Sequence, residues 1–280
     1  MPLFLDCAGK TLDLSHPRVM GVLNITPDSF SDGGRFQAPD AALARARHMA
    51  AEGAAVIDVG GESTRPGATP VSEREELRRV IPVIEAVAAE LPVVISIDTR
   101  KPRVMQAAVA AGAGLINDVC ALREEGALQT AAALGVPVCL MHMQGDPRTM
   151  QAAPHYEDVV AEVKVFLTER VAACERAGIQ RERLLIDPGF GFGKSLEHNL
   201  RLLRHLDDFA GLKLPVLVGV SRKSLIGAVL DVPAADRLYG SIALAALAVW
   251  QGAALIRAHD VAATVQAIKM TAAVRAASGR

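Results

Sequence analysis

Apolar residues in this chain gather into short runs, each closed by a polar or glycine-rich break and followed by helical spacing. The runs are "VMGVLNI" from Val19, "AAVIDVGG" from Ala54, "PVVISID" from Pro92 and "GLINDV" from Gly114. They continue with "PVCLMH" from Pro137, "LLIDPG" from Leu184, "PVLVGVS" from Pro215 and "ALIRAHD" from Ala254. Brevity and β-branched content suit strands buried on both faces, as in a parallel sheet.

Between the runs the period changes to that of a helix. Ser72 and Glu75 have capping-box spacing, and Leu77, Val80, Ile81, Ile84 and Val87 follow on one stripe. Pro82 inside that stripe predicts a kink. Asp40 is expected to cap "AALARARHMAAEG", which stops at Gly53, and Val160, Val163, Leu167 and Val171 form another stripe. Eight strand–helix units predict a single-domain (β/α)8 TIM barrel over residues 1–280. The opening "LFLDCAGKTLDL" reads as an N-terminal β-hairpin expected to plug the barrel's bottom. An open doubly wound sheet could use the same strands. The barrel is favoured because the runs end in polar groups: Asn24, Asp58, Asp98, Asn117, His142, Asp187, Ser221, and Arg257 with His259. A closed barrel brings such ends to one mouth.

Composition narrows the function classes. Lys plus Arg number 30 and Asp plus Glu 31, a formal charge of −1 that lacks the basic footprint of a nucleic-acid binder. Cys7, Cys120, Cys139 and Cys174 are scattered without a C-x-x-C pair and read as buried thiols. The N-terminus has no charged region leading into a long apolar run, and no window offers about 18 uninterrupted apolar residues. A soluble cytoplasmic protein is expected.

Asp98 and Asp187 each follow several apolar residues, so they need partners for charge at the edge of a low-dielectric core. With Asn117 they form a mainly accepting array that matches a flat heterocycle carrying amino and ring N–H groups. Lys223, Arg257 and His259 follow the last two strands, where barrel enzymes commonly hold phosphate. Arg222 is read as solvated or paired with a surface acid. The loops "TPDSFSDGGRF" and "ESTRPGATP" have the composition of mobile lids; Thr64 and Arg65 could donate to an anion, and Phe30 could cover a ring. Met141 suits packing beneath the site, and His142 is given no catalytic role. The stretch "DPGFGFGKS" ends like a phosphate loop, yet Pro188 stands where a Walker loop needs glycine, and Lys194 where the dinucleotide pattern needs its third glycine.

The segments "MGVLNITPDSFSDGG", "IDVGGESTRPGA", "SIDTRK", "IND", "LMHMQGDPRTMQ", "DPGFGFGKS", "GVSRKS" and "IRAHDV" closely resemble the dihydropteroate synthase family, the folate-pathway target of sulfonamides. The resemblance spans the chain from the hairpin to the last helix. Ala258 is a small departure, where members often carry a larger aliphatic residue. The resemblance implies a homodimeric barrel condensing 7,8-dihydropterin-6-ylmethyl diphosphate with 4-aminobenzoate to 7,8-dihydropteroate and diphosphate. It implies that Asp98, Asn117, Asp187 and Lys223 hold the pterin, with Val119 and Met141 lining the slot and Gly219 beside it. Asn24, Thr64, Arg65, Arg257 and His259 would meet the diphosphate, with Asn24 the protein ligand of a Mg2+ ion. Phe30, Pro66, Phe192, Ser221 and Lys223 would wall the aminobenzoate. Asp98, Asp187, Lys223, Arg257 and His259 are the implied catalytic set. In such a family the "GKS" ending binds no triphosphate, and Lys194-Ser195 opens the next helix with Ser195 as its cap. Rival readings are a methyltetrahydrofolate-dependent methyltransferase with a similar barrel, and a catalytically silent pterin-binding protein.

Overall fold

A computed structural model describes residues 3–25, 38–63, 67, 69–145 and 149–277. The chain opens on an antiparallel hairpin of β1 (Phe4–Cys7) and β2 (Lys10–Asp13). Among the described residues eight parallel strands follow: β3 (Arg18–Asn24), β4 (Val56–Gly60), β5 (Val94–Asp98), β6 (Leu115–Asp118), β7 (Val138–Met141), β8 (Leu184–Asp187), β9 (Leu217–Val218) and β10 (Leu255–Ala258). Their order is β8-β7-β6-β5-β4-β3-β10-β9. A parallel bridge between Ile186 and Val216 joins the two ends, with the Ile186 N–H donating to the Pro215 carbonyl at 3.0 Å. The sheet closes into the expected barrel.

The helices between strands are α1 (Ala38–Ala51), α2 (Glu73–Glu90), α3 (Pro102–Ala110), α4 (Ala127–Leu134), α5 (Val159–Arg176) and α6 (Leu196–Arg204). Two helices, α7 (Ser224–Leu230) and α8 (Leu238–Trp250), follow β9, and α9 (Val261–Ala276) ends the fold. Ser72 caps α2 by accepting from the Glu75 N–H at 3.3 Å, but the box is only half made: the Glu75 carboxylate turns instead to Arg78 and Arg79. Helix α2 continues through Pro82, which lies on its exposed face. Asp40 is not the cap of α1. The helix starts two residues earlier, with Asp40 in its first turn, where a carboxylate still favours the dipole.

Side-chain alternation along the strands positions everything else. One set, including Ile57, Ile95, Ile116, Leu140 and Ile186, points outward into the shell of helices. The other set points into the barrel. At the strands' N-terminal ends it is apolar: Met20, Val56, Val94, Leu115, Leu185 and Leu255 pack against Leu5, Cys7, Leu12 and Leu14 of the hairpin. The hairpin therefore plugs the bottom, tightly enough that a Cβ at Gly114 would lie 2.3 Å from the Cys7 carbonyl oxygen. Two residues further along, most of the inward positions become polar: Asp58, Ser96, Asn117, Asp187 and Arg257.

Candidate active site

The inward positions of the upper layer are Asp58 on β4, Asp98 on β5, Asn117 on β6, Met141 on β7, Asp187 on β8 and Arg257 on β10. Cross-strand register sets their heights, with Asp98 opposite both Gly60 and Asn117, and Met141 opposite Asp187. Arg257 reaches across the barrel: Nε donates to Asp58 Oδ2 at 2.6 Å and Nη2 to Asp98 Oδ2 at 2.8 Å. Asn117 Nδ2 donates to the same Asp58 oxygen at 3.2 Å.

Burial opposes the Arg257 charge, but Asp58 and Asp98 outweigh it and hold the guanidinium above its ordinary range. Burial pushes the Asp98 carboxyl up, against the pull of Arg257 and with the added push of Asp58. Burial also raises Asp187, opposed by Lys223 and by the Gly189 N–H, which donates to Asp187 Oδ1 at 2.7 Å. Lys223 is lowered to about 8 because it too is desolvated, Asp187 acting in the other direction. Two strained carboxyls facing one slot favour a ligand that brings N–H donors to them.

Met141 of this layer belongs to an apolar cluster with Val119, Cys120, Met143 and Met150, and Phe192 packs against it. The Lys223 ammonium sits 4.5 Å from the Phe192 ring centroid and donates to the Phe190 carbonyl. Ser221 ties the last two loops together, its Oγ 3.2 Å from the donating His259 N–H and 3.1 Å from His259 Nδ1. A Cβ at Gly219 would stand 3.7 Å from the Arg257 Cβ and 3.9 Å from the Lys223 Nζ, so the missing side chain leaves room between the two cations. Gly60 does the same between Asn24 and Asp98, where a Cβ would lie 3.4 Å from Asn24 Oδ1 and 3.6 Å from Asp98 Oδ2.

Asn24, Asp98, Asn117, Val119, Met141, Asp187, Phe192, Gly219, Ser221, Lys223, Arg257 and His259 thus share the C-terminal mouth expected of them. Phe30, Thr64, Arg65 and Pro66 lie outside the described residues, as do the whole of the first loop expected to act as a lid and residues 64–66 and 68 of the second. Arg222 pairs with Asp260 through bonds of 2.9 and 2.5 Å, the surface acid foreseen for it. His142 is a correction to the converging ends. It follows Met141 and so takes the outward phase, where it is buried against Phe166, with ring centroids 4.8 Å apart. Burial and the nearby Lys194 charge push its pKa down to about 2.

Two functional positions were not singled out by sequence. Asp58 read as a strand end but is mid-strand and fully buried, gripping Arg257. The signal was there: Asp58 is two residues after Val56 and two before Gly60, the inward phase. Glu76 is buried in α2 and accepts from Thr99 Oγ1 at 2.6 Å and from Lys101, which also holds Glu62 and the Val71 carbonyl. This network anchors both ends of the loop after β4. Helical phase with Val80, Val83 and Val87 would have revealed it.

Fold and mouth together define a barrel enzyme for a flat, N–H-rich heterocycle with an anionic neighbour. The model of the pterin-binding enzyme family matches residues 20–259. Dihydropteroate synthase of Escherichia coli (strain K12) is 56% identical over 277 residues, covering 99% of this chain and 98% of that protein. The crystal structure of Xanthomonas albilineans dihydropteroate synthase with 4-aminobenzoic acid superposes with a TM-score of 0.94 at 56% identity, covering 99% of this chain and 100% of that one. The same enzyme in complex with 7,8-dihydropteroate gives 0.90 at 54% identity, covering 98% and 100%. The chain belongs to the dihydropteroate synthase family.

Proposed function

We propose that this protein condenses 7,8-dihydropterin-6-ylmethyl diphosphate with 4-aminobenzoate, giving 7,8-dihydropteroate and diphosphate. The observation that carries this reading is the meeting of Asp98, Asn117, Asp187 and Lys223 in one buried slot beneath the Phe192 wall. The carboxylates accept the pterin's amino and ring N–H groups. Lys223 faces a ring acceptor from the opposite side, and Val119 and Met141 close over the ring.

Reaction breaks the C–O bond from the pterin methylene to diphosphate, and the dihydropterin ring delocalises the positive charge that develops. Asp98 and Asp187 offset that charge as it grows, a contribution larger in the transition state than in the ground state. The amine nitrogen, neutral at pH 7, then forms the new C–N bond and releases its proton to solvent. Arg257 serves both halves. Substrate taking Asp98 displaces Nη2 from that carboxylate, while the Nε bond to Asp58 keeps the guanidinium tethered and its Nη groups turn to the departing diphosphate. His259, fixed by Ser221, flanks the same anion, with Thr64 and Arg65 from the loop after β4. Pro66 and Phe30 complete the aminobenzoate wall.

Asn24 offers a single neutral oxygen beside Asp98, which suits a Mg2+ ion that keeps its waters and arrives on phosphate oxygens. Bound there, Mg2+ would neutralise charge on the leaving diphosphate. Among the described residues no helix is long and apolar enough to cross a membrane. All four cysteines are buried and unpaired, which suits a reducing cytoplasm. We further propose a homodimer, supported by exposed apolar residues on α8 and α9.

The test mixes purified protein, pterin diphosphate, 4-aminobenzoate and Mg2+ and measures diphosphate release. Release that depends on the amine is expected. Release without it, or none, defeats the assignment.

A further inference from the structure

The stretch that imitates a phosphate loop has an unusual bonding pattern. Five consecutive carbonyls, Gly189 to Gly193, each accept from a side chain. Gly189 accepts from Lys194 Nζ at 2.9 Å, Phe190 from Lys223, Gly191 from Gln151 Nε2 at 2.6 Å, Phe192 from Lys194 Nζ at 3.0 Å and Gly193 from the Tyr156 hydroxyl at 2.8 Å. The alternating glycines make the fold-back possible: Gly189, Gly191 and Gly193 all have positive φ, and a Cβ at Gly189 would lie 1.9 Å from the His142 carbonyl oxygen. Lys194 alone takes two of the five carbonyls, at both ends of one turn.

Lys194 is only 3% exposed, so its amine offers nothing to a phosphate. Its remaining contacts are both with His142, Nδ1 at 2.8 Å and the carbonyl oxygen at a longer 3.5 Å. The three short contacts match the three donors of an ammonium, with a neutral His142 accepting at Nδ1. Burial drives Lys194 downward and His142 downward, which is consistent with two groups that cannot both carry charge at this contact.

We propose that Lys194 is the positioning residue of the second-substrate wall: by gripping the Gly189 and Phe192 carbonyls from behind, it sets the Phe192 ring against Lys223 and the apolar cluster, where the arylamine must lie. The inference rests on the reaction proposed above. Lys194 touches no substrate and acts through Phe192. Lys194 bonds none of the pterin-slot residues, and the loop meets that slot through other groups, the Gly189 N–H on Asp187 Oδ1 and the Phe190 carbonyl on Lys223, so the larger effect of losing Lys194 falls on the arylamine.

Lys194→Met keeps the length and removes the donors. Its KM for 4-aminobenzoate is expected to rise at least tenfold, while calorimetric binding of the pterin diphosphate changes less than threefold. Unchanged KM for the amine, or equal losses for both ligands, overturns the proposal; the second outcome marks a residue that merely supports the fold. If Lys194→Met is insoluble, Tyr156→Phe removes one hydroxyl and one bond of the same ring of carbonyls. It must then raise the KM for the amine about threefold with pterin binding intact, and wild-type behaviour overturns the proposal. Wild-type protein inert toward the amine removes the reaction and this inference together. Active wild type with an unaltered Lys194→Met removes the inference alone.

Discussion

Lys223 joins three parts of the mouth: it lies over the Phe192 ring, donates to the Phe190 carbonyl and shares the electrostatic field of Asp187. Desolvation lowers it to about 8 from an ordinary 10.5. Below pH 8 it is charged in both folded and unfolded chains. Between the two values the unfolded chain holds a proton that the folded one has lost, so this group makes stability rise with pH across that window. Activity runs the other way, because the neutral amine gives up its attraction to the aromatic face and to the acidic slot. The profile of kcat/KM for the pterin diphosphate, which reports the free enzyme, is expected to fall on an alkaline limb near pH 8, without loss of thermal midpoint. Lys223→Arg should remove that limb, at a lower plateau. A limb that tracks unfolding, or persists in the Arg variant, would assign it elsewhere.

Among the strands, the barrel is readable from eight apolar runs because the outer face and the lower inner face are both dry. The same dryness hides the phase. A run that is apolar on both sides shows no alternation, so Asp58, mid-strand, and His142, one residue past a strand end, both look like polar tips, although one points inward and the other outward. Residues closing a strand in the inward phase, such as Asn24, Asp98 and Asp187, are recoverable by position alone. Lys194 is not: a lysine before a helix cap has the pattern of a solvated residue, and only the fold-back of the glycine turn buries it. Close approach of elements is equally invisible. Gly114 occupies the bottom of the barrel, where a methyl group would collide with the Cys7 carbonyl of the hairpin. Gly114→Ala is expected to cost roughly 2–3 kcal/mol, the scale of overpacking a well-filled core, read from urea unfolding. Both KM values should stay within about twofold, since the plug and the mouth lie at opposite ends of the strands. A large change in KM with normal stability would contradict that separation.

The whole molecule carries a surface that the barrel does not use. Helices α8 and α9 pack together and leave Leu247 and Trp250, one turn apart, and Met270 and Val274, also one turn apart, each more than half exposed. Tyr239, at the start of α8, is 81% exposed. Apolar side chains gathered on adjoining helices, away from the mouth, are what an isologous contact between two copies would bury. The chain has a single tryptophan, and it lies on this face. Intrinsic emission would therefore report such a contact directly. At micromolar concentration the protein should sediment at twice the 29.5 kDa chain mass with blue-shifted emission, and dilution should move the emission toward red as Trp250 meets water. Leu247→Glu with Met270→Glu should sediment as a monomer with red emission at every concentration. Because Asp98, Asp187, Lys223 and Arg257 all come from one chain, that monomer should keep both KM values within about twofold. A wild-type protein that sediments as a monomer with concentration-independent emission would leave this face without a second copy. A monomeric variant that binds neither substrate would mean the partner completes the mouth after all.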